Sequence, residues 1–296
     1  MNDKKQIMAL GFFDGVHLGH QVVLDACREL ADKMGCEAAV VTFDRHPKGV
    51  IFGEAPGLLN KPSDKVKLLK TFGMDQVHVL TFNEEIMNMH WRKFVDLLLD
   101  LGAAGLVCGH DYHFGHFGIG NAEKLKTICE ERGLPCVIIP EQVQEGSRVS
   151  STRIRQKIEQ GEMEGAMRLL GHPHMLTGTV VHGNKLGRTL GIPTANLILP
   201  EGLIIPHFGV YACLCNIDGK DYMAVTNIGT RPTVNGEGVT VEPWILDYEG
   251  NLYDREITLH FYRFLRPERK FDSLEELRLA VLRDADVIRA YFDKKL

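Results

Sequence analysis

Gly11-Phe12-Phe13-Asp14-Gly15-Val16-His17-Leu18-Gly19-His20 follows the short apolar run Ile7-Met8-Ala9-Leu10 and leads into a stretch of helical periodicity. It reads as a strand, a tight glycine loop and a helix start. Glycines let a backbone approach a ligand without Cβ contacts, and the helix that follows aims free N–H groups at the loop. The stretch is therefore a candidate anion site, with phosphate as the guest. At the first turn of a helix His17 and His20 can face one bound group and donate hydrogen bonds to a phosphoryl oxygen as charge builds on it. Two ordinary loop histidines beside a structural turn are the plainer alternative.

Outward from this loop, residues 21–35 carry Val22, Val23, Leu24, Ala26, Leu30 and Ala31 at helical spacing, and Gly35 is a stop signal. Ala38 to Phe43 then reads as a strand, an order that suits a right-handed crossover in a parallel sheet. Further helices are expected over 61–72, 84–101 and 121–132, and strands over 77–82, 105–109 and 136–140. This alternation predicts a doubly wound α/β domain with its site at the C-terminal strand ends. Val149-Ser150-Ser151-Thr152-Arg153-Ile154-Arg155 opens one more helix, running to about Leu170. Its hydroxyls and arginines suggest a second anion site, and a plain N-cap is the alternative.

Beyond Gly171-His172-Pro173 the pattern changes to short alternating runs: 176–181, 209–217, 221–227, 240–247 and 257–264. Turn signals such as Asp218-Gly219 and Glu249-Gly250 separate them. A small β-barrel or sandwich is expected, closed by one amphipathic helix at about 273–293. The boundary is placed near 171, giving domains 1–171 and 172–296. This second half holds Gly183, Gly187 and Gly191 at intervals of four, flanking Lys185 and Arg188. Such a glycine flap with two cations can close over a polyphosphate. Thr194 and Asn196 offer oxygen ligands suited to Mg²⁺. Glu242 stands in a strand-like run where a charge is unexpected. It is either a solvated side chain or a base for a hydroxyl attacking a γ-phosphate.

The 296 residues, 44% of them hydrophobic, suffice for two packed cores. A formal charge of −5 argues against broad nucleic-acid or anionic-membrane binding. No apolar run reaches membrane-spanning length and the N-terminal one is too short for a secretory signal, so a cytoplasmic protein is expected. The seven scattered cysteines contain no CxxC pair and read as reduced, mostly buried thiols. Nothing in the sequence indicates an oligomeric state.

These motif sets, in this order, resemble the bacterial bifunctional riboflavin kinase/FMN adenylyltransferase family, also called FAD synthetase. In the front half the likeness rests on the Gly11–His20 stretch, Thr42-Phe43-Asp44-Arg45-His46-Pro47, Gly109-His110-Asp111-Tyr112-His113-Phe114-Gly115 and Ser150 to Arg155. In the back half it rests on Gly187 to Asn196, Gly209-Val210-Tyr211-Ala212, Asn227-Ile228-Gly229-Thr230-Arg231-Pro232-Thr233 and Leu265 to Phe271. The resemblance implies a Rossmann-like nucleotidylyltransferase domain followed by a small antiparallel β-barrel with a C-terminal helix. It also implies two ATP-dependent steps, phosphorylation of riboflavin to FMN and adenylyl transfer to FMN giving FAD and pyrophosphate. For the kinase it implies Glu242 as base and Thr194 and Asn196 organising Mg-ATP, with Gly183, Lys185, Gly187, Arg188, Pro193, Asn227 and Arg231 at the ligands. For adenylyl transfer it implies His17 and His20 at the α-phosphate and Ser151, Thr152 and Arg153 at the pyrophosphate. Gly11, Phe13, Asp14, Gly15, Gly109 and Asp111 would seat the nucleotide.

The chain departs from the family pattern at Arg45, often Pro, at Tyr112, often Phe, and at Trp244, where a His is common. The loop His116-Phe117-Gly118-Ile119-Gly120 is less basic than usual. Cys108, His110, His113 and His116 together resemble a transition-metal site, though their spacing equally fits the family's nucleotide loop. The functional alternatives are a chain with one active module and a non-catalytic flavin- or nucleotide-binding regulator. Having both phosphate-handling sets and a base speaks against the latter.

Overall fold

The computed structural model describes residues 4–183, 186–233 and 236–294, and its contacts divide the chain into Met1–Ser151 and Thr152–Leu296. In the first unit the elements run β1 (Gln6–Leu10), a 3-10 turn at Asp14–Val16, α1 (Leu18–Met34), β2 (Glu37–Phe43), α2 (Pro47–Phe52), α3 (Pro62–Thr71) and β3 (Gln76–Leu80). They continue as α4 (Glu84–Asn88), α5 (Trp91–Asp100), β4 (Ala103–Gly109), β5 (His113–Phe114), β6 (Gly120–Asn121), α6 (Ala122–Glu131), β7 (Cys136–Ile139), β8 (Val143–Gln144) and β9 (Ser147–Arg148). Five strands form a parallel sheet in the order β3-β2-β1-β4-β7. The central strand β1 is buried along its whole length, which is why Ile7–Leu10 is an uninterrupted apolar run rather than an alternating one. The chain leaves β1 toward β2 on one side and returns to β4 on the other, so the C-terminal ends of β1 and β4 mark the switch point where such sheets bind ligands.

Helix α1 buries Val23, Leu24, Cys27 and Ala31 against this sheet and stops at Gly35, whose φ of 65° suits the left-handed cap. The single helix expected over 84–101 is two. The break falls at Met89 and His90, where extended backbone lets the His90 ring accept the Arg92 N–H and start α5 as its cap.

The second unit contains α7 (Ser151–Glu159) beyond its first residue, α8 (Met163–Leu170), β10 (His174–Val181), α9 (Leu186–Thr189), β11 (Asn196–Ile198), β12 (Gly209–Ile217), β13 (Lys220–Thr233), β14 (Gly236–Ile245), β15 (Glu256–Arg266) and α10 (Leu274–Phe292). The helix expected from 151 to 170 is also two, parted at Gly161 with φ 77°. Helix α8 packs on β10 and β15, within the second of these units. Six strands close into an antiparallel barrel in the order β10-β11-β14-β13-β12-β15, a barrel and not a sandwich. Asp218 and Gly219, with φ of 53° and 82°, form the two-residue turn that sets the β12–β13 register. Cys213 and Cys215 share the buried side of β12, and all seven cysteines are free thiols.

Candidate functional sites

At the C-terminal ends of β1, β4 and β7 lies a cavity of about 360 Å³ whose lining includes Gly11, Phe13, His17, His20, Gly109, Asp111 and Ser151. The loop that forms one wall is strained. Phe13 and the β-branched Val16 hold φ of 55° and 39°, a region that costs such residues about 1–3 kcal/mol each. Local bonds hold it there: Val16 N–H donates to the Phe13 carbonyl at 3.2 Å and Gln21 Nε2 to the Val16 carbonyl at 2.8 Å. His17 caps α1, its Nδ1 accepting the His20 N–H at 3.3 Å. That nitrogen carries no proton, so the hydrogen of the neutral ring sits on Nε2. The His17 and His20 rings stack at 3.6 Å with 13° between planes, and the edge of His20 meets Phe13 at 5.1 Å. Burial, then the neighbouring His17, then Lys65, hold the His20 pKa well below the usual histidine value. At neutral pH the pair therefore offers hydrogen-bond donors with His20 uncharged.

Ser151 Oγ donates to the Asp14 carbonyl at 3.1 Å, tying the start of α7 to the loop. Asp14 and Gly15 do not line the cavity. The buried Asp14 carboxylate turns away and accepts the Leu59 N–H at 2.9 Å, so it shapes the loop from behind. Thr152 and Arg153 follow Ser151 in the chain and pack with the second unit. Sequence reading missed Arg148, which lines this cavity from β9 and pairs with both Asp111 and Glu141. The Glu145-Gly146 turn between β8 and β9 was the available signal. Tyr112, His110 and Gln142 also line it. Of the transition-metal alternative, Cys108 is fully buried, its thiol pushed up to about 12 by burial. Among the described residues no group of three or more His, Cys, Asp or Glu could hold a metal ion.

The barrel holds a second arrangement, set by register. Asn227 pairs with Glu242 across β13 and β14, Leu197 with Val241 across β11 and β14, and Thr194 bridges Trp244. The antiparallel register thus puts Asn196 beside Glu242. Val210 pairs with both Asn227 and Arg266. One row, Asn196, Glu242, Asn227, Val210 and Arg266, crosses five strands on one face, and all five line a cavity of about 280 Å³. Leu277, Val281 and Asp284 of α10 form its opposite wall, and Asp284 grips the Arg266 guanidinium with both oxygens at 3.1 and 2.7 Å. Asn227 Nδ2 donates to Glu268 Oε1 at 3.1 Å.

On the other face of the same segments, Pro193, Ala195, Pro243 and Ile245 line a separate space of about 400 Å³ with Arg188, Tyr248 and Tyr253. A small cleft of about 20 Å³ beside it is bordered by Gly183, Gly187, Arg188 and Pro193. Thr194 borders all three spaces and Asn196 borders two. Lys185 and the side chain of Arg231 lie outside the described residues. Gly183 and Gly187 are required by close approach: a Cβ on Gly183 would overlap the Asn196 carboxamide, and one on Gly187 the Ile192 carbonyl. Gly183→Ala is accordingly expected to displace Asn196 and slow chemistry at this site about tenfold or more. Chemistry at the first cavity should be unchanged, as steady-state assays of the two sites run separately will show.

Among the described residues no helix is long and apolar enough to cross a membrane. Residues 1–153 match the family model described as FAD synthetase and residues 170–292 the one described as riboflavin kinase. The bifunctional riboflavin kinase/FMN adenylyltransferase of Listeria monocytogenes is 36% identical over 99% of this chain and 94% of its own. That of Pseudomonas fluorescens is 37% identical over 96% and 92%. A crystal structure from Streptococcus pneumoniae, described as a macrolide-efflux protein, superposes with a TM-score of 0.88 at 31% identity, covering 98% of this chain and 95% of that one.

Proposed function

We propose a division of labour between the two sets of cavities that starts from kinship, since this chain belongs to the bifunctional riboflavin kinase/FMN adenylyltransferase family. It is an enzyme with two activities. One ATP phosphorylates riboflavin to FMN, and a second ATP adenylylates FMN to FAD with release of pyrophosphate. Residues 172–296 carry the first step and residues 1–171 the second.

In the kinase, riboflavin occupies the 280 Å³ cavity and ATP the spaces on the other face of the wall. The observation that carries this reading is the position of Thr194 and Asn196 in the wall common to these spaces, with Glu242 beside Asn196. A hydroxyl from one side and a γ-phosphate from the other meet next to a carboxylate. Glu242 accepts the proton of the ribityl 5′-hydroxyl as its oxygen attacks the γ-phosphorus, and ADP departs. Gly183 and Gly187 bring the flap backbone close to the phosphates, with Lys185 and Arg188 supplying charge. Asn227 holds the acceptor side and Pro193 the nucleotide side. Thr194 and Asn196 set two neutral oxygen donors on one face beside the phosphates, a sparse set that fits Mg²⁺, which keeps waters and shares phosphate oxygens. When bound, the ion neutralises polyphosphate charge.

In adenylyl transfer an FMN phosphate oxygen attacks the α-phosphorus of ATP directly, and no side chain acts as nucleophile. His17 and His20 donate to the α-phosphate as charge develops, while Gly11, Phe13, Gly109 and Asp111 seat the nucleotide. Pyrophosphate leaves toward Ser151, from which the chain continues into Thr152 and Arg153. We place the enzyme in the cytoplasm, with small-molecule substrates and no nucleic-acid or membrane partner. Its net charge of −5 and its free thiols support this. Chromatographic separation of FMN and FAD over time, starting from riboflavin and Mg-ATP, tests the reading. FMN should appear first and be consumed into FAD; a chain that made neither, or stopped at FMN, would refute it.

A further inference from the structure

We propose that Lys65, which does not touch the first cavity, is a positioning residue for adenylyl transfer: its ammonium pins the loop carrying Phe12 and the histidine pair to the end of β2. The proposal rests on the assignment of adenylyl transfer to that cavity. Lys65 lies on α3, almost wholly buried at 3% exposure, where an unpaired lysine would be costly. Nζ donates to the Phe12 carbonyl at 3.0 Å, Thr42 Oγ1 at 3.1 Å and the Phe43 carbonyl at 2.9 Å. Thr42 Oγ1 in turn donates to the Phe12 carbonyl at 2.9 Å. The ammonium also sits 4.0 Å from the centroid of the Phe12 ring, whose edge contact with His46 spans 4.8 Å. Phe12 and Phe43 both line the cavity, so Lys65 grips two of its walls from behind.

An ammonium has three hydrogens for these three acceptors, whereas a neutral amine has two. Loss of the proton must therefore break one of the bonds that hold the loop. Burial lowers the Lys65 pKa to about 8, against the opposing pull of Asp14 in the loop and Asp44 at the end of β2. His20 on α1 feels the same charge as repulsion, which helps to keep its ring neutral. Below about pH 8 the three bonds and this repulsion are in place; above it they weaken. Stability moves the other way. The unfolded chain, with lysine near 10.5, binds more protons between about 8 and 10.5, so this group favours folding increasingly as pH rises through that window. Alkaline loss of adenylyl transfer through Lys65 is therefore not a loss of fold.

The test uses the full chain, with conversion of supplied FMN to FAD and phosphorylation of riboflavin assayed in parallel across roughly pH 6.5–9.5. For the wild type, kcat of adenylyl transfer should fall through a midpoint near 8 that the kinase does not share. Lys65→Met should lower that kcat about 10–100-fold with KM nearly unchanged, remove the alkaline limb and raise the His20 titration midpoint seen by proton NMR. Lys65→Gln, which keeps two donors without charge, should recover part of kcat with a flat profile. A flat wild-type profile, a limb that persists in Lys65→Met, or wild-type kcat in both variants would overturn the proposal. The wild-type profile and Lys65→Gln decide it even if Lys65→Met fails to fold. Unimpaired adenylyl transfer after removal of both His17 and His20 would instead refute the assignment of the cavity.

Discussion

Replacing Glu242 by alanine or glutamine is expected to lower riboflavin phosphorylation by about 10²–10⁴-fold in kcat while leaving conversion of supplied FMN to FAD untouched. The size follows from the role proposed for it. Deprotonating a hydroxyl as it attacks phosphorus is general-base chemistry, and no other carboxylate among the described residues stands in the row beside Asn196. Glutamine keeps the shape and the hydrogen-bonding reach but cannot take the proton, so it should fail nearly as badly as alanine. A lesion caused by disturbed packing would spare glutamine. Because adenylyl transfer is assigned to a different cavity, FMN fed to either variant should give FAD at the normal rate. Normal phosphorylation by Glu242→Ala would show that this side chain is not the base.

The second large effect is expected from His17→Ala/His20→Ala, which should convert riboflavin to FMN and stop there. Removing one preorganised donor from a developing charge costs about 10²–10³-fold, and two donors on one phosphate should cost at least about 10³-fold in FAD formation. His17 is also the cap of α1, so its loss should lower the stability of the first unit by about 1 kcal/mol. That cost is too small to unfold a typical domain. The rate of FMN formation should be unaltered, which serves as an internal control on the same polypeptide.

Much of this architecture was legible because single residues report it. An unbroken apolar run at Ile7–Leu10 announces a strand covered on both faces, and Asp218-Gly219 announces a two-residue hairpin. Where local signals are weak the sequence misleads. The three-residue β11 has no period to read, and the break at Met89–His90 carries neither glycine nor proline. Gly161, by contrast, was an available stop signal at the division of α7 from α8, and the expectation of a single helix passed over it. At the sites, residue types were readable and their directions were not. Asp14 looks like a site acid, yet it faces inward to cap the Leu59 amide. Arg148 reaches the first cavity from a hairpin too short to show a strand pattern. The neighbourhood of Asn196, Glu242 and Asn227 depends on the pairing of β11, β13 and β14, which no single segment encodes. Lys65 carried no motif at all; the role proposed for it rests on three acceptors drawn from the loop after β1 and the end of β2.

The most direct test of two self-sufficient ATP sites is to mix equal amounts of Glu242→Ala and His17→Ala/His20→Ala chains with riboflavin and Mg-ATP and to measure FAD. Each chain alone should yield only a small residue of FAD. The mixture should make FAD through FMN released by one chain and taken up by the other. A mixture that forms no more FAD than that residue, although each chain keeps its remaining activity, would contradict the independence of the two sites.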